Sequence, residues 1–331
     1  MIFKGVDMAI NSGISSDRSI LNIDRETVNA KLGMDACIAI MRQAQIDQYS
    51  QTAHCPARNF VQLANDCQLL IMPAASTEIV GTKILTLFPT NTSGDTPVIQ
   101  GVIVLFDSNT GSPLATIDAA SVTAIRTAAA SAAATDALSQ QNAKSLAIIG
   151  SGVQAKSHIE AMMQVRAIET IRIYSRNSNS ASQLAEETRA LFGIECHVET
   201  SPQKAAAGAE IICTVTSSHD PVIYAEWLAP GCHLNLVGAH SPEMREVDTA
   251  TIKRASVFVE DTEMALKEAG DIAIPIAEGE LKRDQIKGDI AEVYLGTKLG
   301  RSSRSEITLY KSLGNAIQDI TAAHALYKSV T

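Results

Sequence analysis

The stretch "KSLAIIGSGVQAKSH", Lys144 to His158, constrains this chain more than any other. An apolar run reads as a buried strand, two close glycines as a tight turn, and the residues after them as a helix. Gly150, Gly152 and Ala155 give the pattern GxGxxA. There the first glycine permits the turn and the second lets the backbone approach a pyrophosphate. The small third residue lets helix and strand pack closely, and the helix N-terminus attracts phosphate. Alone the pattern is weak; its surroundings strengthen it. Short apolar runs follow at regular spacing, "TIRIYS", "IECHVE", "EIICTVT", "CHLNLVG" and "SVFVE", with helical stretches between most of them. Six strands alternating with helices predict a Rossmann-type doubly wound parallel sheet.

That unit begins almost halfway along 331 residues, a length that favours two domains. The first half has another rhythm. Residues Met34 to Gln48 read as an amphipathic helix, and "NFVQLA", "CQLLIMPA", "VGTKILTLFP" and "VIQGVIVLFDSNTGSPLATID" as strands, the last a hairpin turning at "SNTG". This predicts an α+β domain with a mostly antiparallel sheet. "SVTAIRTAAASAAATDAL", Ser121 to Leu138, predicts a closely packed helix joining the halves, capped by Ser121 or Thr123. The tail "SEITLYKSLGNAIQDITAAHALYKS" predicts one more amphipathic helix beside a sheet that is already complete.

Composition excludes several functions. A net charge of −9 repels nucleic acid and anionic membranes. Cys37, Cys55, Cys67, Cys196, Cys213 and Cys232 are scattered without a CxxC pair, which argues against a metal centre and fits reduced cytoplasmic thiols. No apolar run approaches the ~20 residues that span a bilayer. "MIFKGVDMAINSGISSD" lacks the basic-then-apolar pattern of a signal peptide. The expectation is a cytoplasmic protein with no metal.

At the end of the second nucleotide-domain strand, enzymes that choose NAD usually place a carboxylate for the ribose 2′-hydroxyl. Here "IRIYSRNSNS" offers Ser175, Arg176 and Asn177, which suit a 2′-phosphate. The cofactor expected is NADPH, with NADH possible. In the first half, Arg58, Lys83 and Arg126 stand out. Any one alone reads more readily as a salt-bridge or surface residue than as a ligand. Lys83, within the apolar "VGTKILTLF", requires an anion or a cavity.

With these residues in view, the chain resembles the ornithine cyclodeaminase/mu-crystallin family over nearly its whole length. The resemblance rests on Arg58, "GTKILTLFPTN", "SVTAIRTAAASAAAT" leading into "IIGSGVQA", "LNLVGAHSPEMREVD" and "SLGNAIQD". It implies a substrate-binding and dimerisation domain split between residues 1–120 and 305–331, a nucleotide domain over 121–304, and a homodimer. It also implies a cleft in which Arg58, Lys83, Arg126 and Leu313 hold an imino-acid or amino-acid carboxylate. Gly150, Gly152, Val153 and Gln154 would then lie at the pyrophosphate. Thr127, Thr216, Val237, Gly238 and Ser312 would be further cofactor neighbours.

The family divides by chemistry. Its cyclodeaminases carry an aspartate where this chain has His240, and an acidic residue where it has Ser175. Both departures favour a ketimine reductase acting on Δ1-pyrroline-2-carboxylate or its six-membered homologue, Δ1-piperideine-2-carboxylate, giving L-proline or L-pipecolate. Lys83 and His240 are then the candidates for the proton. An ornithine cyclodeaminase, an alanine dehydrogenase and a non-catalytic small-molecule binder like mu-crystallin are the alternatives.

Overall fold

The computed structural model describes residues 19–91 and 96–331. The N-terminal stretch read for a leader lies outside them. The fold is α/β with two sheets. In the first, the strand order is Leu21–Ile23, Pro113–Asp118, Ile99–Asp107, Ile79–Leu87, Gln68–Ser76, Ala53–His54, and Asn59–Gln62 also pairs with Gln68–Ser76. All pairs are antiparallel except Leu21–Ile23 with Pro113–Asp118. The expected hairpin turns after Asp107, where Asp107 Oδ1 accepts the amides of Asn109 and Thr110.

Strand Ile79–Leu87 shows how sequence sets the layers. Ile79, Gly81, Lys83 and Leu85 alternate inward, while Val80 points outward. The inward face packs on helix Ala316–Val330, and helices Met34–Tyr49 and Ala119–Leu138 complete that layer. The outward face leaves Val61, Val80 and Val102 exposed.

The second sheet is parallel throughout. Its order is Glu195–Val198, Thr170–Tyr174, Ser145–Ile149, Ile211–Thr214, His233–Leu236, Thr308–Lys311, Ser256–Val259, Ile286–Asp289. Strand order reverses between Ser145–Ile149 and Ile211–Thr214, which opens a crevice at their carboxyl ends. Ile211–Thr214 and His233–Leu236 are buried along their whole length, as sheets covered on both faces require.

Two local expectations are corrected. The tail is not one helix: Thr308–Lys311 forms a fully buried strand in the parallel sheet, and the helix begins at Ala316. "ITLY" is β-branched and aromatic, Gly314 turns the chain at φ +73°, and Asn315 caps the helix by accepting the Gln318 amide. The sheet therefore has eight strands rather than six. The second correction concerns helix Ala119–Leu138, whose cap is Asp118; its carboxylate accepts the Ser121 amide at 2.8 Å. The helix's small side chains let it pack against Met34–Tyr49 and Val153–Val165.

Among the described residues, no helix is long and apolar enough to cross a membrane, and no cluster of three His, Cys, Asp or Glu could hold a metal.

Candidate active site

A groove runs along the carboxyl ends of the parallel strands, with about 1260 Å³ of open space. Gly150, Gly152, Gln154, Ser175, Arg176, Thr216, Val237 and Gly238 line it. Gly150 has φ +127°, and a Cβ there would stand 2.8 Å from the Val215 carbonyl oxygen. Gly152 is different, since a Cβ would meet nothing within 4 Å. Protein packing does not require that glycine, so its space is left for a ligand. Gly152 also precedes helix Val153–Val165 without a side-chain cap, which leaves the first amides available to an anion. Ala155 is fully buried, as close helix–strand packing requires. These features fit the pyrophosphate of a dinucleotide.

At the groove's far end the Ser151 and Ser175 hydroxyls hydrogen-bond at 2.8 Å, beside Arg176. No carboxylate lines the groove among the described residues. Two further predicted cofactor residues flank this lining. Val153 is 70% exposed and lines neither groove nor cleft. Asn177 is also outside both, and its side chain caps helix Ser178–Phe192 by accepting the Ser180 amide.

The groove continues into a cleft against the first sheet; Ile99, Gln154, Val237 and His240 line both. The predicted Arg58, Lys83, Arg126, Thr127, Ser312 and Leu313 come together here. Leu70, Met72, Leu85 and Leu87 supply an apolar wall, and no carboxylate belongs to the lining among the described residues. The two guanidinium groups meet across Gly314. Arg58 donates to its carbonyl at 2.9 Å, and a Cβ on Gly314 would stand 2.4 Å from an Arg126 nitrogen. With φ at +73°, only glycine suits that position.

Asp319, which sequence reading does not single out, holds the cations. One oxygen lies 2.6 Å from Lys83 Nζ and the other 2.8 Å from Arg126 Nε. Gln318 accepts from Arg126 at 3.0 Å, and Arg58 pairs with Glu268 at 3.1 Å. The available signal is Lys83 itself, because an ammonium inside an apolar strand requires a buried anion. Sequence alone gives that role to substrate, whereas the last helix supplies it first. Burial pulls the Lys83 ammonium down to about 8, with Asp319 opposing the fall and Arg126 and Arg58 adding to it.

His240 lies where groove and cleft join, its Nδ1 2.9 Å from the Gly238 carbonyl oxygen. That bond places a proton on Nδ1, so the neutral ring presents Nε2 as an acceptor. Burial, with the nearby Lys311 and Arg58 cations, lowers its pKa. The buried Glu246 fixes the loop that carries it, accepting from Thr214 Oγ1, the Thr216 amide and hydroxyl, and the Gly238 amide at 2.7–2.8 Å. Glu260 likewise fixes Ser312, Leu313 and Gly314 through hydrogen bonds of 2.7–3.1 Å. Neither glutamate stands out in the sequence. Glu260 closes the strand run "SVFVE", and Glu246 lies within "LNLVGAHSPEMREVD".

The chain is similar to known proteins. A Δ1-pyrroline-2-carboxylate reductase of Bacillus cereus is 37% identical, over 93% of this chain and 94% of its own. The ketimine reductase mu-crystallin of Rattus norvegicus is 35% identical, over 83% of this chain and 84% of its own. Among solved structures, Thermococcus litoralis Δ1-pyrroline-2-carboxylate reductase in complex with NADH and L-proline superposes with a TM-score of 0.91. That match has 33% identity and covers 94% of this chain and 97% of the other. The profile of the ornithine cyclodeaminase/mu-crystallin family matches residues 21–331. The chain belongs to the ornithine cyclodeaminase/mu-crystallin family.

Proposed function

We propose that this protein reduces Δ1-pyrroline-2-carboxylate to L-proline with NADPH. The observation that carries the reading is the cleft lining, which offers three cations and an apolar wall but no carboxylate. A cyclic imine carboxylate suits it, one anionic end on Arg58 and Arg126 and an apolar ring on Leu70, Met72 and Leu85. Ornithine suits it poorly, because its second ammonium would find cations and leucines instead of an acid. The relatives' names agree with the imine. The six-membered Δ1-piperideine-2-carboxylate presents the same two ends and is a second substrate of the same class.

When bound, the reduced nicotinamide supplies the hydride that turns the C=N carbon into a CH. This chain's residues do the rest. Arg58 and Arg126 fix the carboxylate, which positions the imine carbon; such positioning accounts for much of the catalysis in two-reactant sites. Lys83 gives its proton to the ring nitrogen and regains one from solvent, so cofactor, proton and imine become oxidised cofactor and amino acid. His240 accepts a hydrogen bond at the mouth of the cleft. Purified protein with NADPH is expected to lose the absorbance of the reduced cofactor only when the imine is present. Ammonia released from ornithine without that loss would replace this reading with a cyclodeaminase.

The apolar outer face of the first sheet supports a homodimer. Val61, Val80 and Val102 are 46%, 38% and 43% exposed on that face, an apolar surface that water disfavours. Sedimentation is expected to give twice the chain's 35.2 kDa. A monomer at micromolar concentration would leave that face for something else.

A further inference from the structure

We infer that Asp319 is a positioning residue that keeps Lys83 charged and aimed along the cleft, and so sets the upper pH limit of the reduction. The inference rests on the proposed function and deepens it. Its geometry is a fork. Asp319 is fully buried near the start of helix Ala316–Val330, where the helix dipole favours an anion. One oxygen holds Lys83 and the other Arg126, at 2.6 and 2.8 Å. Proton donor and carboxylate-binding guanidinium are therefore fixed to a single rigid group.

The surroundings leave Lys83 little other support. The strands on either side place Met72 and Ile103 opposite it. Helix Ala119–Leu138 contributes the like charge of Arg126, and the loop before Asn59–Gln62 that of Arg58. His240 faces the cleft from across it, with its pKa lowered by burial. The thiols near the cluster, Cys37 and Cys55, are pushed up by burial and stay neutral. Asp319 is thus the anion that opposes desolvation and two like charges. In its absence the ammonium would lose its proton at a lower pH, since an opposite charge at this range shifts a pKa by about 1–3 units.

Charge counting leads to the same place. Lys83, Arg126 and Arg58 face Asp319 and Glu268, which leaves one positive charge uncompensated. One substrate carboxylate balances it. With Asp319 neutralised the excess becomes two, and shedding the Lys83 proton becomes the easiest relief.

The test is Asp319→Asn, read two ways. In the kcat/KM profile for imine reduction, the fall at high pH is expected to move down by roughly one unit or more. NADPH affinity should stay within about twofold, since Asp319 lines no part of the groove. Asp319→Glu, which keeps the charge, is expected to return the profile most of the way. The second reading needs no activity: ¹³C labelling of lysine Cε, with the Lys83 signal assigned from Lys83→Met, gives the titration midpoint directly. A lower midpoint in Asp319→Asn supports the inference even if the wild-type protein reduces no imine, which would count against the proposed function alone. An unmoved midpoint, or activity lost equally at every pH, would overturn it.

Discussion

Lys83→Met is expected to lower kcat for imine reduction by roughly 10²–10⁴-fold, the usual contribution of a positioned acid. Methionine matches the length of the stem, and Asp319 keeps Arg126 as a partner, so the cleft retains its shape. NADPH affinity is expected to change little, because Lys83 lies in the cleft and not in the groove. The sign of the pH dependence follows from the lowered pKa. Below about 8 the ammonium holds its proton and can give it, whereas above about 8 it is increasingly neutral. Wild-type kcat should therefore decline as pH rises through about 8, and Lys83→Met should lose that decline together with the rate.

His240→Ala is the control. Its pKa lies below the ordinary histidine value and its ring already donates from Nδ1, so near neutral pH it accepts more readily than it gives. The decline near pH 8 should survive its removal. A Lys83→Met protein with wild-type kcat would transfer the proton to His240 or to water.

Arg176→Ala is expected to weaken NADPH by about tenfold to a hundredfold while leaving NADH within a few-fold. On the proposed reading the partner lost is the 2′-phosphate alone, and a charge-assisted contact contributes about 1.5–3 kcal/mol. Arg176 lines the groove beside the Ser151–Ser175 pair, at a strand end with no carboxylate to receive a 2′-hydroxyl. The Thermococcus litoralis structure holds NADH, which makes the comparison of the two cofactors informative. Titration of both into wild type and variant measures it. Equal losses would remove Arg176 from the 2′-phosphate and leave the preference to the serines.

How much of this is legible in sequence depends on whether the signal is local. The glycine turn is legible because each residue does its work within a few positions of itself, and the position of Gly150 at φ +127° is what that pattern requires. Alternation makes the antiparallel strands legible, Lys83 among them. Strand Thr308–Lys311 is not legible. It is short, sits between strands remote in sequence, and runs into a helix, so its periodicity is absorbed into the helix that follows. Val153 and Asn177 stand beside residues that line the groove; Val153 opens a helix with its side chain exposed, and the Asn177 side chain serves as a helix cap. Asp319 shows a different limit. Lys83 announces that an anion is required, but nothing local says which of the chain's 36 acidic residues arrives there.

The central claim, net reduction of a cyclic imine carboxylate at this cleft, is tested most directly by following the transferred hydrogen. NADPH carrying deuterium at the reactive carbon of the nicotinamide, mixed with Δ1-pyrroline-2-carboxylate and the protein, is expected to yield L-proline labelled once at Cα, with one cofactor oxidised per proline. Unlabelled proline, or proline made from ornithine with ammonia released and no cofactor consumed, would contradict it.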